Sequence, residues 1–320
     1  MKPEVAAAID SIDVTLNAGG MNTINVVLAF VMYGVALGIK PHTFVDVFKN
    51  PRSVILGVCC QLLLLPLLTF LLALLMGSAG WISWTMALGM ILVASCPGGN
   101  ISNFMSSLSK ANIELSVCLT AISTALAILM TPFNFWLYGN LYLKFAEVHG
   151  SEVPHLVIPL WDVFKTIFVL LGIPLTLGIL TSHFLPKVAG KLKKPFQYAS
   201  IVFFLAIVIL SFAGNMSAFM KCIKYIFVVV LLHNLLALAI GYGTATVFRL
   251  PRRDRRTLTI ETGIQNSGLG LVLLLGTSIF AGLPPHGGML VITAWWGVWH
   301  IISGLTVATI FNRSKKTLEK

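Results

Sequence analysis

The sequence predicts an all-α integral membrane protein of nine transmembrane helices, on three observations. Of its 320 residues 57% are hydrophobic and 10% are charged, against roughly a quarter charged in soluble domains, so the chain has too little charge to solvate a surface all round. Nine stretches are apolar over the ~20 residues that a helix needs to cross the hydrocarbon. Basic residues gather in alternate loops between those stretches. No run of alternating apolar and polar residues recurs, which argues against a β-barrel.

The first segment covers 22–39 and the second 54–77. The third, 82–109, carries polar, Gly and Pro residues mid-span. The fourth covers 112–138, the fifth 160–184, the sixth 196–217 and the seventh 224–248. The eighth, 256–282, is interrupted like the third, and the ninth covers 288–311. Residues 1–21 hold Glu4, Asp10 and Asp13 and lack a positive end followed by an apolar core, so they are not a signal peptide. Residues 312–320 form a polar tail.

Of the 22 Lys and Arg residues, one set of alternate loops holds Lys40, Lys49, Arg52, Lys110, the lysines of 187–194, the arginines of 249–256 and the bases of 313–320. The other set holds Lys2, Lys144, Lys221 and Lys224, and Lys165 falls within the fifth span. Loops rich in Lys and Arg stay in the cytoplasm. The expected topology in the cell (inner or plasma) membrane therefore places the N-terminus outside and the C-terminus in the cytoplasm. The net charge of +11 does not suggest nucleic acid, since its sources are spread over membrane loops and not gathered on a solvated face. The five cysteines form no C-x-x-C pair and read as reduced, buried thiols. No obligate protein partner is evident.

A short internal repeat links the two interrupted spans. Gly99-Asn100-Ile101-Ser102-Asn103 parallels Thr262-Gly263-Ile264-Gln265-Asn266, with Ile and Asn in register. The third span begins outside and the eighth inside, so the repeat is inverted. Broken helices at matching positions of inverted halves mark a transporter's binding site.

Glu261 lies in the eighth segment, and an acidic group at membrane depth is functional by default. An ion pair with the arginines at 252–256 is the bland alternative. The polar residues near Glu261 in sequence or in the matching spans are oxygen donors: Thr262, Gln265, Asn266 and Ser267; Asn100, Ser102 and Asn103; Ser116 and Thr120, four apart on one helix face; and Gln61, alone in an apolar run. One carboxylate among neutral oxygens suits a hard monovalent cation. The half-helices restarting near Asn100 and Gln265 would turn their N-terminal amides to the midplane, where an anion can bind. His300, His233 and Asn234 are mid-span; each reads as a packing residue, or as one that holds the crossover or lines a substrate cavity. Trp295, Trp296 and Trp299 read as packing or interface anchors.

Three stretches carry a resemblance: Cys96-Pro97-Gly98-Gly99-Asn100-Ile101-Ser102-Asn103, Glu261-Thr262-Gly263-Ile264-Gln265-Asn266, and Gln61 in a run ending at Pro66. Together they resemble the bile acid:sodium symporter family, over the whole chain from about residue 22. The resemblance implies an inverted-repeat transporter with core and panel domains and two crossing broken helices. This chain would lack the first of the family's ten spans. Its panel would be 22–39, 160–184 and 196–217; its core would be 54–77, 82–109, 112–138, 224–248, 256–282 and 288–311. The resemblance also implies two sodium sites. The first would use Ser102, Asn103, Ser116, Thr120 and Glu261. The second would use Gln61, Glu261, Gln265 and the backbone carbonyls of Thr262 and Ile264. Substrate would sit near Asn100, Ile101, Asn266, Ser267 and His300. The family usually has Thr-Ala at Asn100-Ile101, Met at Ile264, and often Asn at Ile301. The first and third departures touch the substrate surface and leave the sodium ligands intact.

The function expected is sodium-coupled import of an organic anion, a bile acid or related carboxylate, by alternating access with two Na+ per substrate and no organic cofactor. The alternatives are a proton-coupled carrier on the same scaffold, a channel, and an intramembrane hydrolase built on Ser267 and His300. The last lacks a G-x-S-x-G elbow.

Overall fold

The computed structural model describes residues 3–12, 18–38, 51–99, 101–148, 158–213, 216–275 and 287–313. Twelve helices fill these residues, numbered here in chain order: α1 Pro3–Asp10, α2 Ala18–Ala36, α3 Pro51–Ser78, α4 Trp84–Ser95, α5 Ile101–Leu108, α6 Ile113–Val148, α7 Leu160–Phe184, α8 Pro186–Ala213, α9 Met216–Val247, α10 Arg252–Gly263, α11 Ser267–Leu275 and α12 Gly287–Arg313. Helices α3, α6, α7, residues 222–247 of α9, and α12 are long and apolar enough to cross a membrane.

The two interrupted segments are broken where the sequence places polar, Gly and Pro residues. The third becomes α4 and α5, separated by 96–100; the eighth becomes α10 and α11, separated by 264–266. Asn100 itself lies outside the described residues. Two unbroken helices carry π turns, Cys60–Leu64 in α3 and Phe168–Gly172 in α7. Each stands just before a proline, Pro66 and Pro174.

Three helices, α6, α8 and α9, outrun the expected segments by eight residues or more; α9 begins at Met216 rather than 224, so Lys221 and Lys224 are helical rather than in a loop. The helix α6 continues ten residues past Tyr138 to Val148. Asn140 donates through Nδ2 to Trp136 O at 2.8 Å and accepts from Ile158 N at 2.9 Å. Its amide thus ties the helix to the chain leading into α7. The helix α8 begins at Pro186, so Lys187, Lys191, Lys193 and Lys194 are helical rather than in a loop. Proline suits a first helical position and lysine is a good helix former.

The helices α2, α7 and α8 pack on one another. Tyr33 of α2 donates to Thr181 Oγ1 of α7 at 3.0 Å, and its ring meets Phe196 of α8 edge-on at 5.6 Å. The largest hydrophobic core runs through α3, α4, α6, α9, α11 and α12. The closest helix pairings are α9 with α10 and α4 with α12. A side chain on Gly241 would press on the α10 backbone at Leu258, so glycine permits that approach. Among the described residues the five cysteines form no disulfide, and all but Cys59 are buried.

Candidate ion-binding site

Glu261 is on the last turn of α10 and is fully buried. A buried charge without partners is strongly destabilising, and three neighbouring helices supply them. Ser102 Oγ of α5 donates to Oε1 at 2.6 Å, and Ser116 Oγ of α6 donates to the same oxygen. Thr120 Oγ1, one turn along α6, lies 3.1 Å from Oε2. Gln61 Nε2 of α3 donates to the backbone O of Glu261 at 2.8 Å and lies 3.4 Å from Oε2. These partners are neutral. Arg256, from the nearby basic cluster, donates to Ser109 O at 2.7 Å instead.

The breaks in the two interrupted segments cross beside this carboxylate. Gly99 N–H donates to Ile264 O and Asn266 N–H to Pro97 O, both at 2.8 Å, while Gly98 pairs antiparallel with Gln265. Backbone groups that the breaks strip of helical partners are satisfied across the crossing, as an apolar surround requires. Glycine makes the approach possible. A Cβ on Gly98 would stand 2.7 Å from Gln61 Nε2 and 3.2 Å from Glu261 Oε2.

Side-chain amides hold the carbonyl end of α10. Gln265 Nε2 donates to Thr262 O at 2.9 Å, and Asn234 Nδ2 of α9 donates to Gly263 O at 2.8 Å. With Gln61 on Glu261 O, three amide nitrogens are turned to carbonyls, which leaves their oxygens as the uncommitted ends. Gln61 Oε1, Gln265 Oε1 and Asn234 Oδ1, together with Asn103 Oδ1 and Thr262 Oγ1, are buried and meet no donor among the described residues. Each such oxygen costs about 1–3 kcal/mol left alone. A hard cation is the partner that several neutral oxygens and one carboxylate accept together. Among the described residues no group of three His, Cys, Asp or Glu side chains offers a transition-metal cage.

The residues expected from the sequence separate into three groups. Gln61, Ser102, Ser116 and Thr120 meet at Glu261, while Asn103, Thr262 and Gln265 present free oxygens. The carbonyls of Thr262 and Ile264 each accept one hydrogen bond already and keep a second lone pair. At the crossing, Ile101 packs beside Met105, Ile260 and Ile264. Asn266 caps α11, its Oδ1 accepting from Leu269 N at 3.1 Å, and Ser267 is buried. His300 is buried on α12, whose Gly304, one turn on, faces Ile264 and Met105. His233 bonds Thr69 at 2.8 Å and packs on Trp296 at 4.5 Å between ring centroids, which is a packing role. Asn234 holds the crossover, one of the roles its mid-span position allowed, and adds a free oxygen.

Residues 25–222 match the Sodium Bile acid symporter family. The chain belongs to that family. It is therefore a multi-pass membrane transporter and not an enzyme, which disposes of the hydrolase alternative. Among individual proteins, it is 32% identical over 293 residues to the uncharacterized sodium-dependent transporter YocS of Bacillus subtilis (strain 168), covering 92% of this chain and 84% of that protein. It is 30% identical to human sodium/bile acid cotransporter 4, over 85% of this chain and 60% of that protein. It is also 30% identical to the probable chloroplastic sodium/metabolite cotransporter BASS2 of Oryza sativa subsp. japonica, over 77% of this chain and 55% of that protein. Against the two eukaryotic relatives the chain spans less than two thirds of their length.

Proposed function

We propose that this family member is a sodium-coupled symporter that imports a small organic anion, such as a bile acid or related carboxylate, by alternating access. The observation that carries the reading is the buried Glu261 carboxylate amid oxygens that lack donors, where two broken helices cross. Two sodium ions share that carboxylate. The first is held by Ser102, Asn103, Ser116, Thr120 and Glu261. The second is held by Gln61, Glu261, Gln265 and the carbonyls of Thr262 and Ile264. The substrate docks near Asn100, Ile101, Asn266, Ser267 and His300, where the half-helices α5 and α11 begin.

Nine spans divide into a panel of three and a core of six, related in part by inversion. The mutual packing of α2, α7 and α8 supports that panel. The outside N-terminus and cytoplasmic C-terminus rest on the alternation of basic loops. With a monovalent anion, net +1 moves inward per cycle, and each such charge gains ~2.3 kcal/mol per 100 mV of inside-negative potential. The sodium gradient adds ~1.4 kcal/mol per tenfold difference for each ion.

The test is uptake into proteoliposomes from a panel of bile acids, keto acids and sulfated steroids, wild type beside Glu261→Ala. Inward sodium should drive accumulation of at least one anion, and the variant should abolish it. Uptake indifferent to replacing sodium by potassium would overturn the reading. Uptake that tracks pH at fixed sodium would replace it with the proton-coupled carrier.

A further inference from the structure

A second buried carboxylate ties α10 to two of the helices that converge on Glu261, α3 and α6. Asp254, on the first turn of α10, is 6% exposed. Its Oδ2 accepts from Ser53 Oγ of α3 at 2.7 Å, and its Oδ1 from Asn112 Nδ2 at 2.8 Å. Asn112 is the residue that caps α6, its Oδ1 accepting from Leu115 N at 3.2 Å. Thr257 reinforces the pair: its Oγ1 accepts from Asn112 N and donates to Asn112 O, both at 2.9 Å.

The spacing turns this into a second tier of one frame. On α10, Asp254, Thr257 and Glu261 stand at i, i+3 and i+7, on one face. On α6, Asn112 is followed at i+4 and i+8 by Ser116 and Thr120. On α3, Ser53 is followed at i+4 and i+8 by Gly57 and Gln61. A side chain on Gly57 would collide with Leu119 of α6, so the two helices touch between the tiers. The α6 cap and α3 thus each contribute one residue to the Asp254 tier, and α6 and α3 each at least one to the Glu261 tier, ~10 Å further along at 1.5 Å per residue.

We propose that Asp254 is a positioning residue for the sodium site: by locking Ser53 and Asn112 it sets the register of α3 and α6 against α10, and so the reach of Gln61, Ser116 and Thr120 to Glu261. The inference rests on the sodium reading above. The seams are narrow, since Ser102 and Thr120 lie within 2.6 and 3.1 Å of Glu261 oxygens. A slip of α6 by a fraction of a turn would separate hydroxyl from carboxylate. Asp254 itself need not touch an ion.

The experiment uses sodium alone as the probe. Melting of the purified full chain in detergent is followed while NaCl replaces KCl at constant ionic strength, since an ion at concentration c that binds the folded state stabilises it by RT ln(1 + c/Kd), from which Kd is fitted. In Asp254→Asn one of two donors loses its acceptor, and the fitted sodium dissociation constant should rise about fivefold or more. The exchange Asn112→Asp with Asp254→Asn restores one carboxylate facing one amide and should return it to within about twofold of wild type. Ser53→Ala, a milder change that removes one bond, should give a shift of about two- to threefold.

If Asp254→Asn melts lower in KCl yet gives the wild-type sodium dissociation constant, Asp254 is structural only and the inference fails. Failure of the exchange to rescue also overturns it. A wild type that sodium does not stabilise over potassium removes the sodium reading itself, whatever the variants do.

Discussion

The chemistry around Glu261 is set by what its neighbours are not. Three hydroxyls and one primary amide can satisfy a carboxylate without neutralising it, whereas an arginine would cancel its charge. In the proposed site an ionised Glu261 would thus keep its charge for a cation, in a medium that strengthens the attraction. Gly98 protects that arrangement by bulk alone. Its hydrogen lies where a methyl group would stand 2.7 Å from Gln61 Nε2, closer than atoms approach without a shift. Gly98→Ala should push Gln61 off the backbone of Glu261 and weaken sodium-dependent uptake at least about tenfold, equivalent to ~1.4 kcal/mol. Half-saturating sodium measured in proteoliposomes checks it. An alanine variant with unchanged sodium dependence would show that the crossing yields more easily than its geometry implies.

At the scale of the element, the π turn of α3 is what aims Gln61. Pro66 has no N–H to give Leu62 O four residues back, so the ladder is disrupted at that point. The chain responds with Leu65 N–H reaching Cys60 O five residues back. The stranded carbonyl of Leu62 is met from α6, where Asn134 Nδ2 donates to it at 2.8 Å. π turns inside α-helices cluster at functional sites, and this one carries Gln61, a residue of the proposed ion site. Asn134→Ala should cost about 1 kcal/mol, the usual worth of an interhelical hydrogen bond in a membrane protein. SDS titration in mixed micelles measures it, and sodium affinity should fall in parallel if the turn relaxes. Equal stability of variant and wild type would mean that Leu62 O finds another donor.

At the scale of the whole molecule, the short helix α1 is not a loose leader. Ile9 and Ile12 are buried, and α1 packs against α9 and α12. Asp10 Oδ1 accepts from Ser83 Oγ at 3.0 Å and from Thr85 Oγ1, at the start of α4. Burial pushes the Asp10 carboxyl above its ordinary range, against the opposing pull of Thr85 and Ser83. The docked state therefore favours the protonated form, so docking is strongest in acid. It weakens as pH rises through the raised value. Hydrogen exchange at Ser11 and Ile12, corrected for its intrinsic pH dependence, should show protection falling from pH 4 to pH 8 in wild type. The same profile should be flat in Asp10→Asn. A matching decline in the variant would place the titrating group elsewhere.

Much of the fold was legible because apolar length and broken runs are local properties. The interrupted segments at 96–100 and 264–266 were readable from Pro97, Gly98, Gly99 and Gly263. The oxygen donors Gln61, Ser102, Ser116, Thr120 and Gln265 were readable as polar groups that lipid would not tolerate without partners. The fourth segment was bounded at 138 by its apolar run, whereas the helix goes on because an amide such as that of Asn140 can bond its own helix four residues back. The lysines of 187–194 misled because charge was equated with a loop, though it is compatible with a helix that continues beyond its apolar stretch.

The sequence by itself determined that the chain enters lipid, where its helices break, and which atoms carry chemistry. Tertiary structure decided which of those atoms meet. Residues 61, 102, 116 and 261 are brought together across as many as 200 positions of chain, and no local pattern encodes that distance. The same holds for Asn234 on Gly263 and for Asp254 between Ser53 and Asn112. An amide reveals whether its nitrogen or its oxygen is spoken for only when the partner across the interface is in place. That choice, made by packing, leaves several buried amide oxygens without donors among the described residues near Glu261.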